Sequence, residues 1–265
     1  FKSEAKIFNC LDSIPNNIEV IIVENSKNEN FKRDIENRYK NVRCFLAGEN
    51  KGYATANNIG LNKVETKYAL VLNPDTIIDK HAIKNFFISI RKDEDFWLYG
   101  PGNDQNVSLD FRSENIIEVD NLKGFAIFFN ISKFNNKFFD ENFFLYFEEI
   151  DLCRYVKNNN GKIYLDKNII IKHEGSSSVT KTNQIELEKN RNWHWMWSTF
   201  YFHKKHKGFF IACIIIIPKF ISSIFKTIFY LFTFNNEKRN IYFCRFSGIL
   251  NAILGKKSWY RPSLD

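Results

Sequence analysis

Methionine occurs once in the 265 residues, at Met196, proline five times and glycine 11 times. So little glycine and proline excludes collagen-like repeats and a low-complexity chain. The five cysteines, Cys10, Cys44, Cys153, Cys213 and Cys244, stand far apart and lack the paired spacing of a zinc site or a redox motif. They read as reduced thiols in a cytosolic setting. No secretory leader is visible in "FKSEAKIFNCLDSI", which mixes charge among its apolar residues. With Phe1 in first place and no initiator methionine, the sequence reads as beginning inside a longer protein. There is no internal repeat and no Gly-Lys-Ser/Thr triplet of a Walker loop. A transmembrane span is the less favoured reading of the most apolar stretch, 208–234, because Pro218, Lys219 and Lys226 interrupt it before about 20 clean residues accumulate.

What is present describes a folded protein. Hydrophobic residues make up 44%, charged residues 26% and aromatics 17%, with 28 Phe, enough for one large domain or a domain with an appendage. The formal charge of +8 is unevenly placed: residues 201–265 hold 11 Lys and Arg against 2 Asp and Glu, the remainder 27 against 28. That basic tail contains "GFFIACIIIIPKFISSIFKTIFYLFTF" (208–234). Apolar surface fringed by Lys and Arg suits an anionic membrane face better than nucleic acid, whose binders need a basic groove or aromatic platform. The plainer alternative is a buried helix pair with solvated flanks. The division expected is an α/β domain over residues 1–182 and a helical, basic and apolar, membrane-associating region over 183–265.

Residues up to about 175 alternate in pattern. "IEVIIV" (18–23) is a β-branched run that suits a strand covered on both faces. "NENFKRDIENRYKN" reads as a helix, "VRCFL" (42–46) as a strand, "GYATANNIGLNKV" as a helix and "YALVL" (68–72) as a strand. This alternation predicts strands with helices packed on the sheet faces and ligands at the strands' carboxyl ends. Residues 93–120 read as acidic and irregular, "NLKGFAIFFN" (121–130) as a strand, 142–159 as a helix, and 161–178 as the close of the domain. From 183 to 207 the pattern is helical.

Three stretches offer chemistry. In "LNPDT" Pro74 ends the strand, leaving Asn73 and Asp75 at the sheet edge, where a carboxylate can hold a divalent cation beside phosphate oxygens. The bland reading of Asp-Thr ahead of "IIDKHAIKNFF" is a helix cap. "ENKGYATANNIG" (49–60) places a glycine and a helix start at the same edge, where amide hydrogens can meet an anion. In "FFLYFEEIDLC" (143–153), Glu148 and Asp151 lie on one side of a helix with Glu149 about 100° round. Mutual repulsion and the preceding aromatics raise such carboxylates' proton affinity, which fits a general base; the alternative is an acidic solvent face. His173 ends "NIIIKH" and is either a metal or diphosphate ligand or merely hydrogen-bonded.

Together "IEVIIVENS", "ENKGYATANNIGL", "YALVLNPDT", "FDENFFLYFEEIDLCRYVKNNNGKIY" and "IIIKHEGSSS" resemble, in content and order, family 2 glycosyltransferases of the GT-A fold over about residues 10–178. The likeness is greatest to rhamnosyltransferase-like members that build bacterial surface polysaccharides. It implies an α/β, Rossmann-like mixed and mainly parallel sheet flanked by helices, with the helical membrane-associating segment appended. It gives Glu24 the nucleobase contact, where the family usually has Asp, and assigns Asn25, Asn50, Gly52, Asn57 and Asn73 to the nucleotide-sugar site. Asp75 takes the cation position of a motif usually written Asp-X-Asp, with His173 near the diphosphate. Glu148 and Glu149 match a Glu-Asp pair whose second member is the base, with Asp151 beside them. The reaction implied is a single displacement with inversion from a dTDP- or UDP-sugar, with Mg²⁺ or Mn²⁺. The acceptor implied is a lipid-linked oligosaccharide or polysaccharide, at the cytoplasmic face of the cell membrane. The strand ending in Thr-Tyr-Asn that usually opens the family has no counterpart before "IEVIIV", so the first strand is expected to lie upstream. The rival readings are a metal-dependent nucleotidyltransferase and a non-catalytic sugar-binding scaffold.

Overall fold

The computed structural model describes residues 4–91, 93–102, 115–174 and 181–261. The chain divides into two compact units, Phe1–Asp140 with Glu148–Ser176, and Glu141–Phe147 with Ser177–Asp265.

The first unit runs, in chain order, α1 (Glu4–Asp12), β1 (Val20–Glu24), α2 (Glu29–Arg38), β2 (Val42–Leu46), α3 (Gly52–Leu61), β3 (Tyr68–Leu72), β4 (Thr76–Ile78), α4 (Ala82–Ser89), β5 (Phe96–Pro101), β6 (Ile116–Glu118), β7 (Ala126–Asn130), α5 (Glu148–Asn158), β8 (Lys162–Asp166) and β9 (Ile171–His173). β1 and β2 pair in parallel, joined through α2, whose N-terminus is capped by the Asn28 side chain accepting from the Phe31 amide. A five-stranded sheet has the order β3-β7-β5-β8-β6, and β4 pairs with β9. The sheet is mixed, as expected, but its parallel character is narrower than the alternation predicts. Only β5–β8 within it is parallel: β7 inserts between β3 and β5 and runs against both, and β6 runs against β8 at the other edge.

β7 shows why this sheet is the core. Ile127 and Phe129 point into one cluster with Leu98, Leu152, Val156 and Ile163, while Ala126 and Phe128 point into another with Phe86, Phe96 and Tyr99. Side chains alternate across a strand, so "AIFFN" is buried throughout only because both faces are covered. Phe128 stacks on Phe86 of α4 with ring centroids 4.1 Å apart.

β2 and β3 occupy the residues expected of them, and the segments read as β1, α2 and α3 form as read within a few residues. Three readings are corrected. The region called irregular from 93 contains the buried strand β5, whose apolar residues follow the charged "KDED"; residues 103–114 lie outside those described. The Asp-Thr pair starts no helix: Thr76–Ile78 is a strand, and α4 starts at Ala82. Finally, α5 begins at Glu148 rather than 142, because Tyr146 and Phe147 adopt φ of 71° and 73°, which a right-handed helix does not admit.

The second unit holds α6 (Lys181–Lys207), α7 (Phe209–Phe232) and α8 (Asn236–Ile253). Trp193, Trp197 and Phe200 of α6 pack with Ala212 and Ile216 of α7 and with Cys244 and Ile249 of α8. Gly248 lets α8 approach closely, since a Cβ there would stand 2.4 Å from the Trp193 carbonyl oxygen. His194 is buried between the Ser258 hydroxyl, at 2.9 Å, and the Tyr260 carbonyl, at 2.8 Å, and burial drops its pKa to about 3. The left-handed Tyr146 and Phe147 both pack on Trp195, and Phe147 also on Phe202. All five cysteines are free thiols.

Candidate active site

The sequence-predicted residues belong to the first unit: the segments after β1, β2 and β3 hold Asn25, Asn50, Asn73 and Asp75, Glu24 ends β1, Gly52 and Asn57 stand in α3, His173 ends β9, and the first turn of α5 holds Glu148, Glu149 and Asp151. Glu24 ends β1 and Asn25 follows it, and both are buried. Asn25 is the organiser. Its Nδ2 donates to Asn50 Oδ1 at 3.2 Å and to the Gly52 carbonyl at 3.1 Å, and its Oδ1 accepts from the Lys51 amide at 2.8 Å. The Gly52 amide donates to Asn50 Oδ1 at 3.2 Å. Gly52 has φ of 84°, a left-handed conformation that favours glycine, so the turn into α3 requires it. The first amides of this turn, offered to an anion on sequence grounds, are thus taken by asparagine side chains. Asn57 spends its Nδ2 on the Tyr53 carbonyl one turn back, at 3.0 Å.

Beyond β3, the Asn73 amide donates to the Phe125 carbonyl at 2.8 Å, and the Asn73 carbonyl accepts from Thr76 Oγ1 at 2.7 Å. Antiparallel pairing of β4 with β9 sets His173 opposite Thr76. That register carries His173 to Asp75 across nearly a hundred residues of chain, with Nε2 3.3 Å from Asp75 Oδ1. His173 also stacks on Phe125, ring centroids 5.0 Å apart.

Glu148, Glu149 and Asp151 form the first turn of α5, where the helix dipole favours negative charge. Glu148 and Asp151 are buried and Glu149 is half-buried. Burial pushes the Glu148 carboxyl well above the usual carboxylate range, and the charge of Glu149 adds to it. Glu148 Oε2 has no hydrogen-bond partner among the described residues. Burial raises Glu149 as well, against the opposing pull of the Glu149 and Ile150 amides.

The residues that join these groups were missed from sequence. Gly124 lies against Glu149: a Cβ there would be 3.5 Å from the Cβ of Glu149 and equally far from the Tyr53 hydroxyl. Tyr53 donates from that hydroxyl to the Gly124 carbonyl. Burial, then Glu148 and Glu149, hold the Tyr53 phenol well above its ordinary pKa, so it is protonated. Gly124 and Phe125 are consecutive, so one dipeptide touches Glu149 and Tyr53 with its first residue and His173 with its second. A continuous path therefore runs from Asp75 through His173, Phe125 and Gly124 to Glu149, and through Tyr53 and Gly52 to Asn25. No sequence signal marks Gly124 or Tyr53 for this role, since the contact is made only by folding.

Among the described residues no three His, Cys, Asp or Glu side chains cluster as a complete metal cage. Asp75 and His173 alone offer two donors. Two donors suit a cation that takes its other ligands from phosphate oxygens and water, as Mg²⁺ commonly does.

The family model described as glycosyl transferase family 2 matches residues 1–154. A low-salt glycan biosynthesis hexosyltransferase, Agl10 of Haloferax volcanii, is 26% identical over 187 residues, 60% of this chain and 60% of that protein. The teichoic acid poly(glycerol phosphate) polymerase of Staphylococcus epidermidis is 33% identical over 91 residues, 31% of this chain and 13% of that protein. The chain thus spans under two thirds of either relative. Among solved structures, S. aureus TarS residues 1–349 in complex with UDP superposes with a TM-score of 0.55 at 15% identity, covering 98% of this chain and 90% of that one. GalNAc-T7 with UDP, GalNAc and Mn²⁺ gives 0.56 at 12% identity, covering 82% and 55%. These two likenesses show the fold, which is of the GT-A type.

Proposed function

The chain belongs to glycosyl transferase family 2, and on that premise we propose that it moves a sugar from a nucleoside diphosphate donor to a hydroxyl acceptor by single displacement with inversion. Glu149 is the base: one carboxylate oxygen takes the proton of the acceptor hydroxyl as that oxygen forms its bond to the anomeric carbon. The bond from this carbon to the diphosphate breaks, and a nucleoside diphosphate leaves. Glu24, Asn25, Asn50, Gly52, Asn57 and Asn73 line the donor side, while Glu148, Asp151 and Tyr53 stand around the base. Asp75 and His173 would hold Mg²⁺ or Mn²⁺. Bound there, the metal supplies positive charge against the diphosphate. The UDP complexes of the structural neighbours favour a UDP-sugar, while the motif likeness to rhamnosyltransferases keeps a dTDP-sugar as the second donor to test. The acceptor is a lipid-linked oligosaccharide or polysaccharide, in keeping with relatives named for glycan biosynthesis and teichoic acid polymerisation. The reaction takes place in the cytoplasm, at the inner face of the cell membrane.

The observation that supports this reading best is the contact path from Asp75 to Glu149 through the Gly124–Phe125 dipeptide. Its test is a donor screen with the full chain, following released nucleoside diphosphate with and without Mn²⁺. Glu149→Gln is expected to lower kcat by roughly 10²–10⁴ with donor binding retained, and Asp75→Ala to remove the metal dependence of that binding. Pyrophosphate as the product would make the protein a nucleotidyltransferase. Absence of donor binding would make it a scaffold.

A further inference from the structure

We infer that α7 is an in-plane membrane helix, seating the second unit on the surface of an anionic phospholipid leaflet. This deepens the membrane part of the proposed function, but it rests on the second unit alone and needs no donor or acceptor to be true.

Seven residues carry it: Phe210, Ile214, Ile217, Ile221, Phe225, Ile228 and Phe232. They recur every three or four positions, all are apolar, and all are exposed, from 47% for Ile228 to 82% for Phe210. At 3.6 residues per turn that spacing draws one stripe down the whole helix. The stripe does not belong to a core, for only 17% of the most apolar part of α7 is buried. The opposite side does: Ala212 and Ile216 pack on α6 and α8, Phe220 against Phe246, and Ser223 is buried. Lys219 and Lys226 leave the helix about 150° from the stripe, which is therefore free of charge.

What covers the stripe follows from the charge around it. Exposed Lys204, Lys205 and Lys207 immediately precede α7, exposed Lys238 closely follows it, and Glu237 is the only acid between residues 201 and 261. An uncharged apolar stripe with cations at both ends complements acyl chains beneath anionic headgroups.

The packing also chooses lying over crossing. Although α7 is long and apolar enough to span, its inner side is occupied along its length by its neighbours. Tyr230 stacks on Tyr242 of α8, and Lys226 lies 4.9 Å over the same ring. A crossing α7 would carry its own Lys219 and Lys226, with Arg245 of α8 beside the same Tyr242 ring, into hydrocarbon, where charged side chains are strongly disfavoured.

Flotation of the full chain with vesicles tests this. Association is expected with phosphatidylglycerol/phosphatidylcholine vesicles and to be roughly tenfold weaker with phosphatidylcholine alone. Joint Phe210→Ser, Phe225→Ser and Phe232→Ser should reduce it by roughly tenfold or more while leaving the circular dichroism unchanged. Since exposed aromatics sometimes affect folding, Lys205→Gln and Lys207→Gln form a second variant, expected to weaken association about fivefold for each lysine. Alkaline carbonate should release the bound chain. Resistance to carbonate would overturn the in-plane reading in favour of a span. Failure to float, together with a dimer that the serine substitutions dissociate, would give the stripe to a second copy of the chain. Undiminished association of both variants would remove α7 from the interface. None of these outcomes bears on nucleoside diphosphate release, so the proposal can fail while the proposed reaction stands.

Discussion

Glu148 and Glu149 are neighbours in sequence with different surroundings, and the difference supports the proposal of Glu149 as the base. The Cβ and Cγ of Glu149 lie against Gly124, which has no side chain to crowd them, and the amides of Glu149 and Ile150 favour the ionised form of its carboxyl. A base must be ionised to act. Because burial raises its pKa, the rate should climb with pH through an apparent value above the ordinary carboxylate range, and this acid limb should be lost in Glu149→Gln. Glu148 is buried with one oxygen lacking a partner among the described residues, and its pKa is raised further. A carboxyl whose folded-state pKa exceeds its unfolded one stabilises the fold fully in acid, and that contribution disappears as pH rises through the folded value. Glu148→Gln should therefore match the parent in mild acid and exceed it at neutral to alkaline pH. Urea unfolding of both proteins at the two pH values measures that difference.

At the scale of elements, α3 is fixed by one buried side chain. Asn58 donates from Nδ2 to the Phe139 carbonyl at 2.9 Å and accepts from the Phe139 amide at 3.0 Å. Truncation strands both backbone groups, so Asn58→Ala should cost about 2–4 kcal/mol in urea unfolding, well beyond an ordinary surface change. The same helix shows what could be read in advance. Mostly apolar runs announce β1 and β3, and β2 shows in the short apolar segment around Arg43, because strands of this kind carry their signal locally. β5 gives little local signal, since a short buried strand after four charged residues resembles a loop end. The start of α5 is hidden in sequence, because aromatics next to a helix look like its first turn, whereas Tyr146 and Phe147 are left-handed and pack on rings of α6. The carboxylates of the site stood out by their clustering. The meeting of Asp75 with His173 depends on the β4–β9 register, which no local pattern encodes. Gly124 and Tyr53 gain their importance only from tertiary contact.

For the whole molecule, the controlling fact is that charge is segregated. The formal +8 arises entirely in residues 201–265, with 11 basic residues against 2 acidic, while the rest is close to neutral at 27 against 28. Donor chemistry is proposed for the neutral part and membrane contact for the basic part, so the two should respond differently to salt. Donor hydrolysis, with water in place of the acceptor, uses only the first and should be nearly the same with or without phosphatidylglycerol vesicles. Transfer to a lipid-linked acceptor requires the second and should rise when such vesicles carry the acceptor. Raising ionic strength shortens the Debye length from about 10 Å at 0.1 M to about 3 Å at 1 M, which weakens cation attraction to a charged leaflet and leaves apolar contact intact. Transfer on anionic vesicles should thus fall several-fold across that range while hydrolysis changes little, as parallel assays of sugar incorporated and nucleoside diphosphate released would measure. Equal salt sensitivity of both reactions would mean that the basic tail acts on the donor site itself, and the division of labour between the two parts would have to be abandoned.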